Sequence, residues 1–155
     1  MSDRSRLTDR KHHLPDLALE SEAGERSLLG PGRSLLVVHV HDEDCAAYRS
    51  YIDELGRSVD EITSWGGDVA VVVAAKRPAA PEAFSPAFRT YYDPDEKLER
   101  ALDTRCPGVL VADQWGDIVL MQSAGATHEF PGIERLISEI RYLGIRCPEC
   151  EGEAL

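Results

Sequence analysis

The segment Ser34-Leu-Leu-Val-Val-His-Val-His41 runs directly into Asp42-Glu-Asp-Cys45 and then into Ala46-Ala-Tyr-Arg-Ser-Tyr-Ile-Asp-Glu-Leu55. The first part is a nearly continuous apolar run, which is typical of a central strand covered on both faces. The last part has helical spacing, so Cys45 is predicted where a strand gives way to a helix. The positive end of a helix and its unpaired N–H groups favour the thiolate form of a cysteine. The segment therefore indicates a thiol positioned for redox chemistry.

A second strand follows at the spacing expected of a βαβ unit. After Cys45 the apolar residues are spaced four, three, four and three: Tyr48, Ile52, Leu55, Val59 and Ile62. This stripe predicts one continuous helix that ends before Gly66-Gly67. The run from Asp68 to Ala75 is the next buried strand, and the two strands are predicted to be parallel with a right-handed crossover.

The remaining pattern predicts the outer parts of one α/β domain. Residues 88–92 are expected to form a short edge strand, and a short helix is expected from Asp93 to Leu102. The other predicted elements are two strand-like pieces at 14–20 and 25–29, a hairpin of 109–112 and 117–121 with Gly116 in its turn, and a last helix with an apolar stripe from Ile133 to Leu143. We expect residues 1–13 to be a disordered tail, residues 14–145 to be one domain and residues 146–155 to be a C-terminal tail.

Charge and hydropathy exclude several classes of function. The 155 residues include 28 acidic and 17 basic ones, which gives a net charge of −11. Such an acidic surface repels nucleic acids and anionic membranes, so neither is an expected partner. No apolar run is long enough to cross a membrane, and the polar start does not resemble a signal peptide. We therefore predict a cytoplasmic location, where cysteines are usually reduced, metal-bound or catalytic.

The order of elements resembles the thioredoxin core, and three motifs resemble its redoxin branch, the alkyl hydroperoxide reductase and thiol-specific antioxidant family. Leu14-Pro-Asp-Leu-Ala-Leu19 is similar to the opening of that family, and Asp93-Pro-Asp-Glu-Lys-Leu98 is similar to the motif before its second helix. The segment from Val109 to Val119 is similar to its strand, turn and strand hairpin. The resemblance covers roughly residues 14–143 and implies a thioredoxin-like fold with an N-terminal strand-like extension.

The resemblance also implies roles for three residues. Cys45 falls on the position of the attacking cysteine, and Pro107 falls on the cis-proline of the fold. In that fold the residue before the cis-proline packs against the attacking sulfur, so Cys106 can approach Cys45 closely enough for a disulfide or a shared metal. The alternative is that Cys106 is simply a small buried apolar residue.

Other positions depart from the family pattern. Tyr48 stands where a C-x-x-C motif has its second cysteine, so no local disulfide can form. Val38 and Asp42 stand where peroxiredoxins carry the Pro and Thr that position peroxide. In addition, the carboxylates of Asp42, Glu43 and Asp44 oppose thiolate formation at Cys45 by like-charge repulsion.

Two groups of residues suggest metal binding. Cys147-Pro-Glu-Cys150 has the C-x-x-C spacing of half a zinc site or of a redox pair, although a frayed tail with two exposed thiols explains it equally well. A complete zinc site would need two further ligands, which a second chain in a dimer could supply. His39 and His41 share one side of a strand near Asp42 and Asp44, so a His/His/Asp/Cys ligand set with Cys45 is conceivable, but a satisfied core or rim histidine is the favoured interpretation.

The leading functional hypothesis is a redoxin-type antioxidant oxidoreductase that reduces a disulfide or a peroxide through Cys45 alone. Cys106, a tail cysteine or an external thiol would resolve the product, so the expected partner is a small thiol or a thiol or disulfide protein. No cofactor is expected, apart from zinc at Cys147 and Cys150. Two alternatives remain open: a catalytically degenerate binding module, and a metal-binding protein that uses the tail cysteines.

Overall fold

The computed structural model describes residues 13–40, 46–77, 88–104, 107–123 and 130–145. Several predicted features lie outside these ranges and stay predictions. They are the N-terminal tail up to residue 12, the C-terminal tail, the cis Cys106–Pro107 bond, the side chain of His41, the acidic run from Asp42 to Asp44, and the cysteines Cys45, Cys106, Cys147 and Cys150.

Two parallel strands form the centre of the sheet, β3 (Ser34–Val40) and β4 (Gly67–Val73). Their register runs from Ser34 opposite Gly67 to Val40 opposite Val73. All seven residues of β3 are buried, because helices cover one face of the strand and further chain covers the other. The predicted pairing of the two strands is confirmed.

The chain between these strands forms two helices rather than the one that was predicted. They are α1 (Ala46–Gly56) and α2 (Val59–Ser64), separated by a turn at Arg57 and Ser58. In this turn the N–H of Arg57 donates to the carbonyl of Glu54 and that of Ser58 to the carbonyl of Leu55. Glycine is a poor helix former, so Gly56 ends the first helix. The apolar stripe still faces the core along both helices.

The strands on one side of β4 place residues 88–92 inside the sheet. Strand β5 (Arg89–Tyr92) pairs parallel with β4, and β1 (Ala18–Ser21) pairs antiparallel with the other side of β5. Strand β2 (Gly24–Ser27) then pairs with β1 and forms the edge. The prediction of an edge strand at 88–92 is therefore wrong, because the N-terminal hairpin completes the hydrogen bonding of β5.

The predicted hairpin lies on the other side of β3. Strand β6 (Val109–Ala112) pairs antiparallel with β3 and with β7 (Ile118–Gln122). The seven described strands thus follow the order β2-β1-β5-β4-β3-β6-β7. Gly116 in the hairpin turn has φ +93°, and a Cβ atom there would lie 2.6 Å from the carbonyl oxygen of Leu14, so a glycine is required.

The N-terminal segment crosses one face of the sheet. The N–H of Leu14 donates to the carbonyl of Gly116 at 2.7 Å, although the strand that this segment enters, β1, lies on the far side of β3. Leu14 is fully buried by this crossing. His13, the last residue of the predicted tail, forms an isolated bridge with Asp117.

Helices complete both layers. On the face crossed by the N-terminal segment lies α3 (Lys97–Leu102), and on the opposite face α4 (Ile133–Ile145) packs beside α1 and α2. The described chain is therefore a sheet covered on both faces, as predicted. None of the described helices combines the length and the apolar character needed to cross a bilayer.

Candidate functional site

The strand that leads to Cys45 and the segment that follows Cys106 meet at the carboxyl end of β3. Cys45 directly precedes Ala46, the first residue of α1, and follows β3 by five residues. The backbone N–H of His39 near the end of β3 donates to the carbonyl oxygen of Gly108 at 2.7 Å. Pro107 and Gly108 are both buried beside this strand end.

The sequence relates Cys106 to this strand end, because Cys106 is two residues before Gly108. The carbonyl of Gly108 accepts a hydrogen bond from the backbone N–H of His39, so the described chain that follows Cys106 meets the strand that leads toward Cys45. The distance between the two sulfurs lies outside the described residues.

Tyr48 occupies the second position of a C-x-x-C motif and is a core residue. Its side chain is buried, and its ring lies 5.1 Å from the ring of Phe130 in a tilted arrangement. The tyrosine therefore fills space between α1 and the segment that enters α4. This packing agrees with the prediction that Cys45 has no local partner for a disulfide.

Tyr51, one turn further along α1, strengthens the same contact. Its ring stacks on Phe130 at 4.5 Å, and its hydroxyl donates to the carbonyl oxygen of Pro131 at 2.7 Å. Burial raises the pKa of the Tyr51 hydroxyl well above its ordinary value, and the nearby carboxylate of Glu54 raises it further. The hydroxyl is therefore a fixed, neutral donor.

His39 has a buried carboxylate neighbour that the sequence did not predict. Its side chain is 1% exposed, and its Nε2 atom lies 3.3 Å from Oε1 of Glu99 on α3. The favoured interpretation of His39 as a core residue is consistent with this burial. Glu99 follows the buried Leu98 in α3, and a pattern of helix spacing alone does not show which acidic residue faces the sheet.

The described residues contain no group of three or more His, Cys, Asp or Glu side chains that could hold a metal ion. His39 is therefore paired with one carboxylate rather than placed in a described ligand cluster. The tail cysteines Cys147 and Cys150 lie outside the described residues, and zinc binding by them stays a prediction.

Asp93 explains the Asp-Pro-Asp motif in physical terms. This residue is 1% exposed, and its two carboxylate oxygens accept the N–H groups of Lys97 and Leu98, each at 2.9 Å. These are the first N–H groups of α3, which have no partner within the helix. Asp93 thereby fixes the start of α3, and Glu99 is held opposite His39.

A cavity of about 270 Å³ lies at the opposite end of the sheet. Its lining includes Ser34 at the amino end of β3, Trp65, Trp115 in the hairpin turn, and Gly144 near the end of α4. Trp115 is 51% exposed. No predicted site residue lines this cavity.

Comparisons with known proteins bear on the fold. No protein-family model matches the chain, and no curated protein sequence matches it.

Solved structures do match. A peroxiredoxin-like protein from Aquifex aeolicus is 14% identical, with a TM-score of 0.68 over 86% of each chain. AhpC from Mycobacterium tuberculosis is 12% identical, with a TM-score of 0.66 over 90% of this chain and 96% of the other. A protein assigned as the thiol:disulfide interchange protein DsbE from Chlorobium tepidum is 16% identical, with a TM-score of 0.62 over 89% of this chain and 99% of the other. The fold of this chain is therefore thioredoxin-like, and its structural neighbours are redoxins.

Proposed function

We propose that this chain is a thiol-dependent oxidoreductase in which Cys45 attacks a peroxide or a disulfide. The observation that carries the proposal is the hydrogen bond between His39 and Gly108, because it joins the strand that leads to Cys45 with the loop that follows Cys106. The start of α1 directly after Cys45 adds the helix terminus that favours a thiolate. The names of the structural neighbours agree with this chemistry.

The reaction needs only the electrons of sulfur. With a peroxide, the thiolate of Cys45 bonds to one oxygen, the O–O bond breaks, and the other oxygen leaves as an alcohol or water after taking a proton, so the cysteine becomes a sulfenic acid. With a disulfide, the thiolate bonds to one sulfur and the other sulfur leaves as a thiol, so a mixed disulfide forms. No metal or organic cofactor takes part in either route.

A second thiol must then release the product, and two observations support a choice among the candidate thiols. Tyr48 removes a partner within α1. Gly144, near the end of α4, lies with Ser34 at the amino end of β3, and the seven-residue strand spans roughly 20 Å at about 3.3 Å per residue. Cys147 extends at most about 11 Å from Gly144. We therefore favour Cys106 or an external thiol, small or on a protein, over Cys147 of the same chain.

A cytoplasmic setting forms part of the proposal, because a reducing compartment keeps Cys45 and Cys106 available as thiols. The same setting supplies the small thiols and protein thiols that the release step needs.

Two observations favour a second candidate function, a binding module without catalysis. The core position of Tyr48 and the acidic run before Cys45 both replace residues that serve catalysis in redoxins. In that case Cys45 would be an inert thiol and the redoxin-like architecture would serve a protein contact.

Consumption of substrate by the reduced protein separates the two candidates. The test uses hydrogen peroxide, an alkyl hydroperoxide and a small aromatic disulfide, each with and without added small thiol. We expect stoichiometric consumption that Cys45→Ser abolishes and that the Cys147→Ser, Cys150→Ser double variant retains. Absence of consumption of all three compounds, together with slow alkylation of Cys45 at neutral pH, would contradict catalysis and favour the binding module.

A further inference from the structure

The His39–Glu99 pair is a titratable group that the proposed reaction does not use. His39 is surrounded by the apolar core on the face of the sheet that α3 covers, and Glu99 is only slightly exposed. Removing charges from water is costly unless they are paired, so each residue of the pair depends on the other. A buried ionisable pair at this position therefore needs a reason beyond packing.

Its position relates it to the thiols. The side chain of His39 lies against Glu99, and its backbone N–H donates a hydrogen bond to the carbonyl of Gly108. Gly108 is two residues after Cys106, and β3 continues toward Cys45, which is six residues after His39. The pair is thus attached to both of the segments that carry the proposed site thiols.

We infer that the His39–Glu99 pair is a positioning element of the thiol site, which holds α3 against the end of β3 and sets the charge that the site thiols meet. The inference rests on the proposed function. While the imidazole carries a proton the pair is neutral, and after that proton is lost the pair carries one negative charge. The negative pair opposes thiolate formation, so the readiness of the thiols to react is coupled to the state of the pair.

Two charged groups at the start of α3 already have partners. The carboxylate of Asp93, just before the helix, accepts two backbone N–H groups, and the Nζ atom of Lys97 donates to the carbonyl of Ala18 at 3.4 Å. The neighbours in the sheet, Val72 and Gly108, are uncharged. Beyond the described residues, His41 and the acidic run from Asp42 to Asp44 follow in sequence, and they are identical in every variant compared below.

The test is the pH dependence of thiol alkylation in a background without tail cysteines (Cys147→Ser, Cys150→Ser). Glu99→Gln removes a negative charge from the end of the sheet that leads to the site thiols, so their alkylation midpoint should shift to lower pH. His39→Gln leaves the carboxylate in place, so its midpoint should stay or rise. A role in packing alone would move both midpoints in the same direction or neither.

Two controls complete the design. Glu25→Gln removes an equal charge on the edge strand β2, four strands from β3 and thus about 19 Å away across the sheet, and its midpoint should match that of the background. The His39→Gln, Glu99→Gln double variant keeps two side chains that can hydrogen-bond, and its midpoint should fall like that of Glu99→Gln. If either single variant does not fold, the double variant decides the result.

The inference is overturned if Glu99→Gln and the double variant leave the midpoint where Glu25→Gln leaves it, or if both single variants shift it equally. Alkylation reports thiolate formation without turnover, and peroxide and disulfide consumption is measured separately on each variant. If Glu99→Gln shifts the alkylation midpoint but the protein consumes neither peroxide nor disulfide, the coupling is retained and the proposed function is refuted. If the protein consumes these substrates but Glu99→Gln leaves the midpoint unchanged, the proposed function is retained and the coupling is refuted.

Discussion

The hydroxyl of Tyr51 donates a 2.7 Å hydrogen bond to the carbonyl oxygen of Pro131, and its ring stacks on the adjacent Phe130. The helix that follows Cys45 is thereby joined to the segment that enters α4, eighty residues later. Tyr48 adds a second ring contact to Phe130. The first two turns of α1 are thus fixed by aromatic packing and one buried hydrogen bond, where a C-x-x-C protein would have a local disulfide.

We expect Tyr51→Phe to lower the free energy of unfolding by about 1–2 kcal/mol, because the buried carbonyl of Pro131 loses its donor while the ring contact is kept. Chemical denaturation measures this change. Tyr142→Phe is the matched control, since Tyr142 is 59% exposed, and it should change stability by less than about 0.5 kcal/mol. Equal effects of the two substitutions would contradict the assignment.

The same tyrosine sets a pH dependence. The pKa of Tyr51 is raised in the folded state, so above pH about 10 the unfolded chain releases a proton that the folded chain keeps. Stability should therefore be unaffected near neutral pH and should fall as the pH rises above about 10, and the fall should be shallower in Tyr51→Phe. Tyr91 contributes in the same direction, because burial also raises its pKa.

Asp93 offers a second stability test. Asp93→Ala leaves the N–H groups of Lys97 and Leu98 without their acceptor inside the protein, and we expect a loss of about 2–3 kcal/mol. Asp95→Ala removes an exposed carboxylate from the same turn and should cost less than about 0.5 kcal/mol. Thermal unfolding of both variants provides the comparison. Since α3 carries Glu99, Asp93→Ala should also alter the alkylation midpoint of the site thiols.

Gly116 tests the crossing of the N-terminal segment. In Gly116→Ala the new Cβ would meet the carbonyl oxygen of Leu14 in addition to the strain of φ +93°. Gly24 has nearly the same φ, +92°, but a Cβ there would meet nothing within 4 Å. We expect Gly24→Ala to cost about 1–2 kcal/mol from backbone strain alone and Gly116→Ala to cost at least about 1 kcal/mol more. Similar losses would show that Leu14 is not held against the turn.

The sequence predicted the elements whose pattern is local. The apolar runs that became β3 and β4 are long enough to require cover on both faces, and the hairpin turn needs the positive φ of Gly116. The interior place of β5 could not be predicted in this way, because it depends on pairing with β1, some seventy residues earlier in the chain.

The partner of His39 shows the same limit. Period-two spacing places His39 on one face of β3. The rotation of α3 about its own axis decides which acidic residue comes within 3.3 Å of His39, and that rotation is set by tertiary packing and by the hydrogen bonds of Asp93 to the start of α3. The break at Gly56 was missed because the apolar stripe continues in phase through α1 and α2, so hydrophobic spacing alone gave no sign of it.

The acidic run before Cys45 predicts a direct effect on the thiol. If Cys45 is the attacking residue, its alkylation midpoint should lie below the free-cysteine value of about 8.5, and Asp44→Asn should lower it further because one like charge is removed. Mass spectrometry of the peptide containing Cys45, after timed alkylation at several pH values, measures this. Glu134→Gln at the start of α4 serves as the control for loss of a remote charge. A midpoint above pH 9 in the unsubstituted protein would count against catalysis.

The last prediction concerns Cys147 and Cys150, which follow the end of α4 in an acidic segment with Glu149, Glu151 and Glu153. A structural zinc ion takes four protein ligands, and this tail supplies two thiolates. We therefore expect zinc, if it binds, to be shared by two tails in a dimer, at one ion per two chains. Elemental analysis and light scattering of the purified protein measure both quantities.

The variants make this outcome decisive. The Cys147→Ser, Cys150→Ser double variant should be monomeric and free of zinc. Cys45→Ser should keep the metal and the dimer, because α4 ends near the amino end of β3, whereas the carboxyl end of β3 leads to Cys45. Chelation of the unsubstituted protein should release monomers without unfolding the sheet, since the described core residues on both faces of the sheet come from one chain. An unsubstituted protein that is monomeric and metal-free, with both tail thiols reacting independently, would leave the C-x-x-C segment as an ordinary exposed tail.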